Sequence, residues 1–448
     1  MNQLKVGYAA LNIDPMIGIE VSGYYQVRIS EGNLDPLEVC VTAFEFGSKK
    51  VAMIALDLCY LDTPVNNKIR AAVSEATGLA MDEIYIGCTH THTAPYLRDN
   101  EAYPLEQEYI KFVTHRIIDA VNIAIADLKP AKMGYHVGEA KNIAFVRRFR
   151  MKDGSVKTNP GVDNPDIVAP IGDVDERVNV IRFDREGADT VVVINFGNHP
   201  DVVGGNFMSG DWPAFARRIV EKAIDGTKCI FFNGVQGDVN HVNVHPRGGD
   251  LNDMFMDFDD VSRGYGHARH MGRVVAGSVL QVYDKVKYVE VESLKSIEKT
   301  IQIPSNKATP EQLVEAKYIN DMHMAGRDAE LPWKAMMLTT VVAEAQRMIR
   351  LENAPDTFPV NLLGLAIGPI AFVGIPGEPF TGIGRAIKDT EGFELICPCA
   401  LINGSAGYFP MQEAYDEGGY EARSSVFKAG CAEYIAEQGK ELLAQLGK

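Results

Sequence analysis

The sequence predicts an α/β fold, with a mixed β-sheet core flanked by helices. Apolar runs of strand length alternate with stretches of helical periodicity along the chain. No internal repeat, low-complexity tract or long linker interrupts that alternation. The 448 residues are 46% hydrophobic and 23% charged, enough to bury a substantial core and balanced as in globular proteins.

In chain order, VAMIALDL (51–58) reads as a buried strand, followed by a helix over 64–79. EIYIGC (83–88) is the next strand, and apolar spacing over 107–128 predicts a long helix. Strands follow near 176–183 and 189–196, then a helix over 212–225 and the strand CIFFNG (229–234). The segments 264–285, 309–324 and 333–351 read as helices, AFVGI (371–375) as a strand and 425–446 as a closing amphipathic helix. A single domain over 1–448, with a helical excursion at about 305–355, is the expected organisation.

Charge and composition exclude several classes of function. A net charge of −16 and a pI near 5.1 would repel a phosphate backbone, so nucleic acid is not an expected partner. No apolar run approaches the roughly 20 residues needed to span a bilayer, so no integral membrane association is expected. The opening MNQLKVGYAALNIDP lacks the apolar core of a secretory signal, which predicts a cytoplasmic protein. Seven scattered cysteines predict reduced thiols, and Cys397 and Cys399, separated by Pro398, read as packed core.

Four predicted strands run directly into polar loops: CTHTHTAP, NFGNHPDVVGG, NGVQGDVNH and IPGEP. Strand ends that converge in this way are how a sheet builds a pocket from residues distant in sequence. Histidine is scarce, ten in all, so its placement is informative. His90 and His92 stand one residue apart, and in extended chain such positions point the same way. Two imidazoles offered to one point are a common start for a zinc site. The alternative is a pair that hydrogen-bonds its own loop.

His199 follows VVVINF in the same strand-to-loop manner, and Glu378 emerges at the tip of a turn shaped by glycine and prolines. The alternative for Glu378 is a first-turn glutamate that stabilises the following helix, a role compatible with metal binding. Asp238 either caps a turn or supports the site. His241, His245, His267 and His270 form a looser group. His267 and His270 share a helical face, which reads as solvated. The run DLNDMFMDFDD (250–260) reads as an exposed loop, with a lid or cation-binding loop as the alternative.

The segments THTHTAP, NHPD…SGDWP, NGVQGDV, GIPGEPFTGIGR and YFP…EAY…GYEA occur in the order used by the neutral/alkaline ceramidase family. The chain resembles that family's catalytic region from GYAALNIDP to Tyr420, strongly in the five motifs and weakly between them. The resemblance implies a ceramidase catalytic-domain-like fold and a Zn2+ ion held by His90, His199, Glu378 and Tyr408. It implies that His92 lies beside the metal without ligating it, and that Tyr420 and Arg147 hold the scissile amide, with Arg148 close behind Arg147. Asp238, Asn240, His241 and Asp211 fall in the supporting segments, as residues that would hold the ligands in place or touch the substrate.

On that footing the expected activity is zinc-dependent hydrolysis of an N-acyl amide by zinc-activated water, with His92 protonating the leaving amine. Departures from the family qualify the substrate. GDVSP becomes GDVNH, so Asn240 and His241 replace serine and proline, and an early tyrosine of the closing motif is Ser405. The chain ends soon after GYEA, where ceramidases continue into an immunoglobulin-like domain. A catalytic-domain-only relative acting on a small or polar substrate is therefore expected. The alternatives are zinc hydrolysis of another bond (ester, lactone, glycoside or phosphoester) and a non-catalytic metal-binding sensor.

Overall fold

In this computed structural model the described residues are 3–247, 255–256 and 262–447. The run 250–260 lies outside them, apart from the backbone of Phe255 and Met256. Two sheets stack face to face between outer layers of helix. The larger has nine strands, eight of them in the order Thr227–Asn233, Thr190–Phe196, Arg177–Arg185, Lys129–Glu139, Lys5–Asn12, Glu38–Phe46, Lys49–Leu56, Ile84–Cys88. The ninth, Lys287–Val289, pairs with Lys129–Glu139. The smaller sheet runs Leu294–Pro304, Thr357–Ile367, Ile370–Ile375, Leu395–Ala400.

Both sheets are mixed, as the sequence predicts. The outermost pairs of the large sheet are parallel, and so are the last two strands of the small one. Each parallel pair is joined by a crossover helix: Thr63–Thr77, Asp211–Ala223 and Thr381–Lys388. The loops that leave Cys88, Phe196, Asn233 and Ile375 are thus all loops at carboxyl ends of parallel strands, where open α/β sheets place their ligands.

Why so many strands read as unbroken apolar runs is clear from the packing: both faces are covered. In Thr190–Phe196, Val191 and Val193 point between the sheets, toward Leu365 and Phe372. Val192, Ile194 and Phe196 point the other way, onto Trp212, Val220 and Val275 of the helices Asp211–Ala223 and Tyr265–Val282. Ile370–Ile375 divides likewise, with Phe372 between the sheets and Val373 and Ile375 beneath Thr381–Lys388 and Cys431–Leu446. Each such side chain contributes roughly 1.5–3 kcal/mol when fully buried. Cys397 and Cys399 are free thiols, fully buried between the sheets.

Two helices, Pro310–Met324 and Ala335–Leu351, lie between the strands Leu294–Pro304 and Thr357–Ile367 and pack on each other through Ile319, Met322, Val342 and Ala345. The closing helix begins later than its periodicity suggests, at Cys431. Gly430 ahead of it is left-handed (φ 91°), which separates it from the short helix Tyr420–Ser424. No helix among the described residues is long and apolar enough to cross a membrane.

Candidate active site

His90 is not in a strand. Ile84–Cys88 ends two residues earlier, and His90 has φ +78°, a conformation L-residues rarely adopt. Strand alternation therefore does not explain how the two imidazoles meet. The loop is bent and pinned instead: His90 N donates to Leu58 O at 2.9 Å and His92 N to Pro200 O at 3.0 Å. The result is convergence all the same, with the two Nε2 atoms 3.3 Å apart.

Three ligand atoms face one another at the centre. His90 Nε2 and His199 Nε2 are 3.1 Å apart, and Glu378 Oε2 lies 3.3 Å and 3.2 Å from them. His90 Nδ1 is 2.8 Å from Cys59 O and His199 Nδ1 is 3.1 Å from Gln236 O. A carbonyl can only accept, so each Nδ1 carries a proton, and a neutral ring would turn its bare Nε2 lone pair inward. Burial pushes the His90 imidazole down, but Glu378 overcomes it and holds the ring well above its ordinary value, so the three groups draw positive charge into their midst, the place a metal would take. Ligand atoms about 2.0–2.1 Å from a tetrahedral zinc ion are roughly 3.3 Å apart, which matches this spacing. The donor set of two imidazoles and a carboxylate fits the metal.

All three residues are buried. Burial pushes the Glu378 carboxyl up, but His90 and His199 overcome it and hold the group well below the usual carboxylate range. Burial and the adjoining His90 hold the His92 imidazole well below its ordinary value. Tyr408 completes the wall. Its strand, Tyr408–Phe409, pairs in parallel with Glu378–Pro379, and its ring stacks on His199 at 6.5 Å. Burial and Glu378 raise its phenol well above the ordinary value.

A cavity of about 240 Å³ opens on this centre, lined by His92, Arg147, His199, Asp201, Tyr408 and Tyr420. Arg147 is the arginine that faces it. Its Nε pairs with Glu421 at 2.6 Å, its Nη2 donates to Gly237 O at 2.7 Å, and the guanidinium lies 5.3 Å from the Tyr408 ring centroid. Arg148 points elsewhere, to Glu417 at 3.0 Å. The Tyr420 hydroxyl is 3.4 Å from that of Tyr25. Met336, Leu338 and Val342 of Ala335–Leu351 close the outer side.

The supporting residues take distinct places. Asp238 ties two loops together, accepting from Thr381 N at 2.7 Å and Thr381 Oγ1 at 2.8 Å. Asn240 donates to Asn159 Oδ1 at 3.2 Å, and Asn159 lines the cavity. His241 pairs with Asp201 at 3.0 Å. Asp211 does not line the cavity: its carboxylate accepts from Val202 N, Val203 N and Trp212 N and so anchors the loop after His199. His245 is exposed, 3.6 Å from Asp163. The His267–His270 face is only half solvated. His270 is exposed, whereas His267 packs on His241 with ring centroids 5.8 Å apart, because its helix starts against that loop.

Sequence reasoning missed Tyr24, Tyr25, Asp201, Arg263 and Glu421. Tyr24 sets its ring edge-on to His92 at 5.4 Å and is flanked by Arg28 and Arg263. Asp201 and Glu421 carried a signal, the first two residues after His199 in the NHPD segment and the second beside Tyr420 in GYEA.

No protein-family model matches the sequence, and no curated protein sequence does. Solved structures do match. One described as neutral ceramidase from Pseudomonas aeruginosa superposes with a TM-score of 0.73 at 16% identity, covering 100% of this chain and 75% of that one. The chain has the neutral ceramidase fold. A second structure, described as ceramidase complexed with C2, gives a TM-score of 0.72 at 14% identity with the same coverage. Within this ceramidase-like fold the four motif loops meet at one end of the parallel strand pairs, around the histidine and glutamate cluster.

Proposed function

We propose that the protein is a zinc-dependent hydrolase of N-acyl amides, acting on a small or polar substrate. The convergence of His90 Nε2, His199 Nε2 and Glu378 Oε2 carries this reading. Tyr408, beside Glu378, is the proposed fourth ligand. The likeness to ceramidase structures favours an amide as the bond. The modest cavity with charged walls favours a compact, polar substrate.

Zinc bound there would polarise a carbonyl oxygen and lower the pKa of water to about 7. The remaining work falls to side chains. His92 is neutral, and its Nε2 faces the cluster, so that atom can accept the proton of the attacking water and return it to the leaving amine. Arg147 is held in place by Glu421 and Gly237 and sets a fixed positive charge beside Tyr408 to steady the tetrahedral oxyanion. Tyr420 offers a hydroxyl to the same oxygen.

The test is a panel of chromogenic acyl amides, acyl esters and phosphoesters, assayed with zinc-loaded and chelated protein. Zinc-dependent amide hydrolysis is expected. Phosphoester cleavage with no acyl hydrolysis would replace this reading with another zinc hydrolase.

A further inference from the structure

A second cavity, of about 470 Å³, adjoins the first and shares Asn159, Ala335, Met336 and Tyr420 with it as lining. A substrate bound at the metal cluster therefore has room to extend past Tyr420 into this outer chamber. The charges around the chamber do not cancel. Glu417 is committed to Arg148 at 3.0 Å and Arg150 at 2.6 Å, and Arg423 to Glu344 at 2.8 Å. Two ammonium groups remain: Lys157, on the strand Val156–Thr158, and Lys334, which precedes the helix Ala335–Leu351. Among the described residues neither has a carboxylate within salt-bridge distance; Lys334 Nζ reaches only Ala329 O, at 3.4 Å. No acidic residue stands in the first turn of that helix to offset them.

This positive chamber sits on a protein whose net charge is −16. Such a surface repels anions in general, so two lysines with no ion pair among the described residues, Lys157 feeling Asp153 only at longer range, mark a local exception beside the reaction chamber. Val156, Pro160 and Met337 add apolar lining to the same chamber. The ligand that suits this arrangement has a short apolar spacer and an anionic end.

We propose that the outer chamber is a carboxylate subsite: the substrate carries an acid group on the part remote from the scissile bond, held by Lys157 and Lys334. This rests on the amide-hydrolase reading above. Either half of the amide can carry the acid, so the probes cover both. Glutaryl anilide bears it on the acyl side and N-acetyl-aminohexanoate on the amine side, and each is compared with its methyl ester.

The zinc-loaded protein should cleave at least one acid with kcat/KM about tenfold or more above that of its ester, the effect expected of charge-assisted contacts. The charge-reversal pair Lys157→Glu and Lys334→Glu should bring that ratio below one, which a loss of packing alone would not do. Equal or faster cleavage of both esters, or a ratio that survives the reversal, overturns the subsite while leaving the hydrolase standing. If none of the four is cleaved, calorimetry with the same compounds decides. Acids that bind more tightly than their esters, and lose that advantage on reversal, keep the subsite and remove only the amide reading; acids that show no such preference remove both.

Discussion

Glu378 and Tyr408 are register partners in a two-residue parallel bridge, with Glu378 N donating to Gly407 O at 2.9 Å. Neighbours in register emerge on the same side of a pleated pair, so the carboxylate and the phenol leave adjacent backbones toward His199. Twenty-nine residues of chain lie between them, and one short bridge sets their spacing.

In the proposed zinc site Glu378 is a ligand, and its removal has a measurable consequence. Replacing His90 or Glu378 with alanine should reduce bound zinc, measured by elemental analysis, from one equivalent to below about a tenth, since each removes a direct ligand. Full zinc occupancy in both variants, with the far-UV spectrum unchanged, would falsify the assignment.

His92 is predicted to act without holding the metal, and a glycine controls its position. Gly23 has φ +103°, and a Cβ there would lie 2.7–2.8 Å from the His92 ring. Gly23→Ala should therefore shift the imidazole and lower kcat by about 100-fold, the scale of a small misplacement at a reacting centre, while zinc content stays at the wild-type level. Wild-type turnover in this variant would remove His92 from the chemistry.

Arg147 and Glu421 form an ion pair at 2.6 Å with side chains 5% and 0% exposed. Removing one partner leaves an uncompensated buried charge, so Glu421→Ala should destabilise the fold by about 3–5 kcal/mol. Urea unfolding followed by circular dichroism measures it. A change under about 1 kcal/mol would show that the pair is solvated in solution.

Burial, together with His241 and His270, lowers the His267 imidazole to about 3. Its folded value lies below the ordinary 6.5, so the unfolded chain binds the extra proton first. Stability from this group is complete above pH 6.5 and is lost as pH falls from 6.5 toward 3, with a slope of at most about 1.4 kcal/mol per unit. His267→Gln should flatten the decline in urea midpoint between pH 7 and 5. Parallel declines in the two proteins would place the charge elsewhere.

Strands such as Lys49–Leu56 and Ile370–Ile375 were legible in the sequence because their buried positions, 51–56 and 370–375, form unbroken apolar runs. Leu294–Pro304 and Lys129–Glu139 were not, since many of their side chains are only partly buried and the polar ones among them break the apolar run. The helices Pro310–Met324 and Ala335–Leu351 were readable as helices, but their role in closing the cavity over His92 was not, because that depends on where the chain re-enters the small sheet.

Residue types, their order and the loops that carry them were determined by the sequence alone: imidazoles after two strands, a carboxylate in a glycine–proline turn, a tyrosine in the closing motif. Which nitrogen of each imidazole faces inward, which of Arg147 and Arg148 lines the cavity, and that Asp201, Tyr24 and Glu421 belong to the site were decided only by the tertiary structure. The physical reason is that a metal centre is a matter of a few ångströms between atoms on separate strands. Local chain chemistry specifies the strands and their ends, whereas the stacking of two sheets and the cross-links between their loops set those distances.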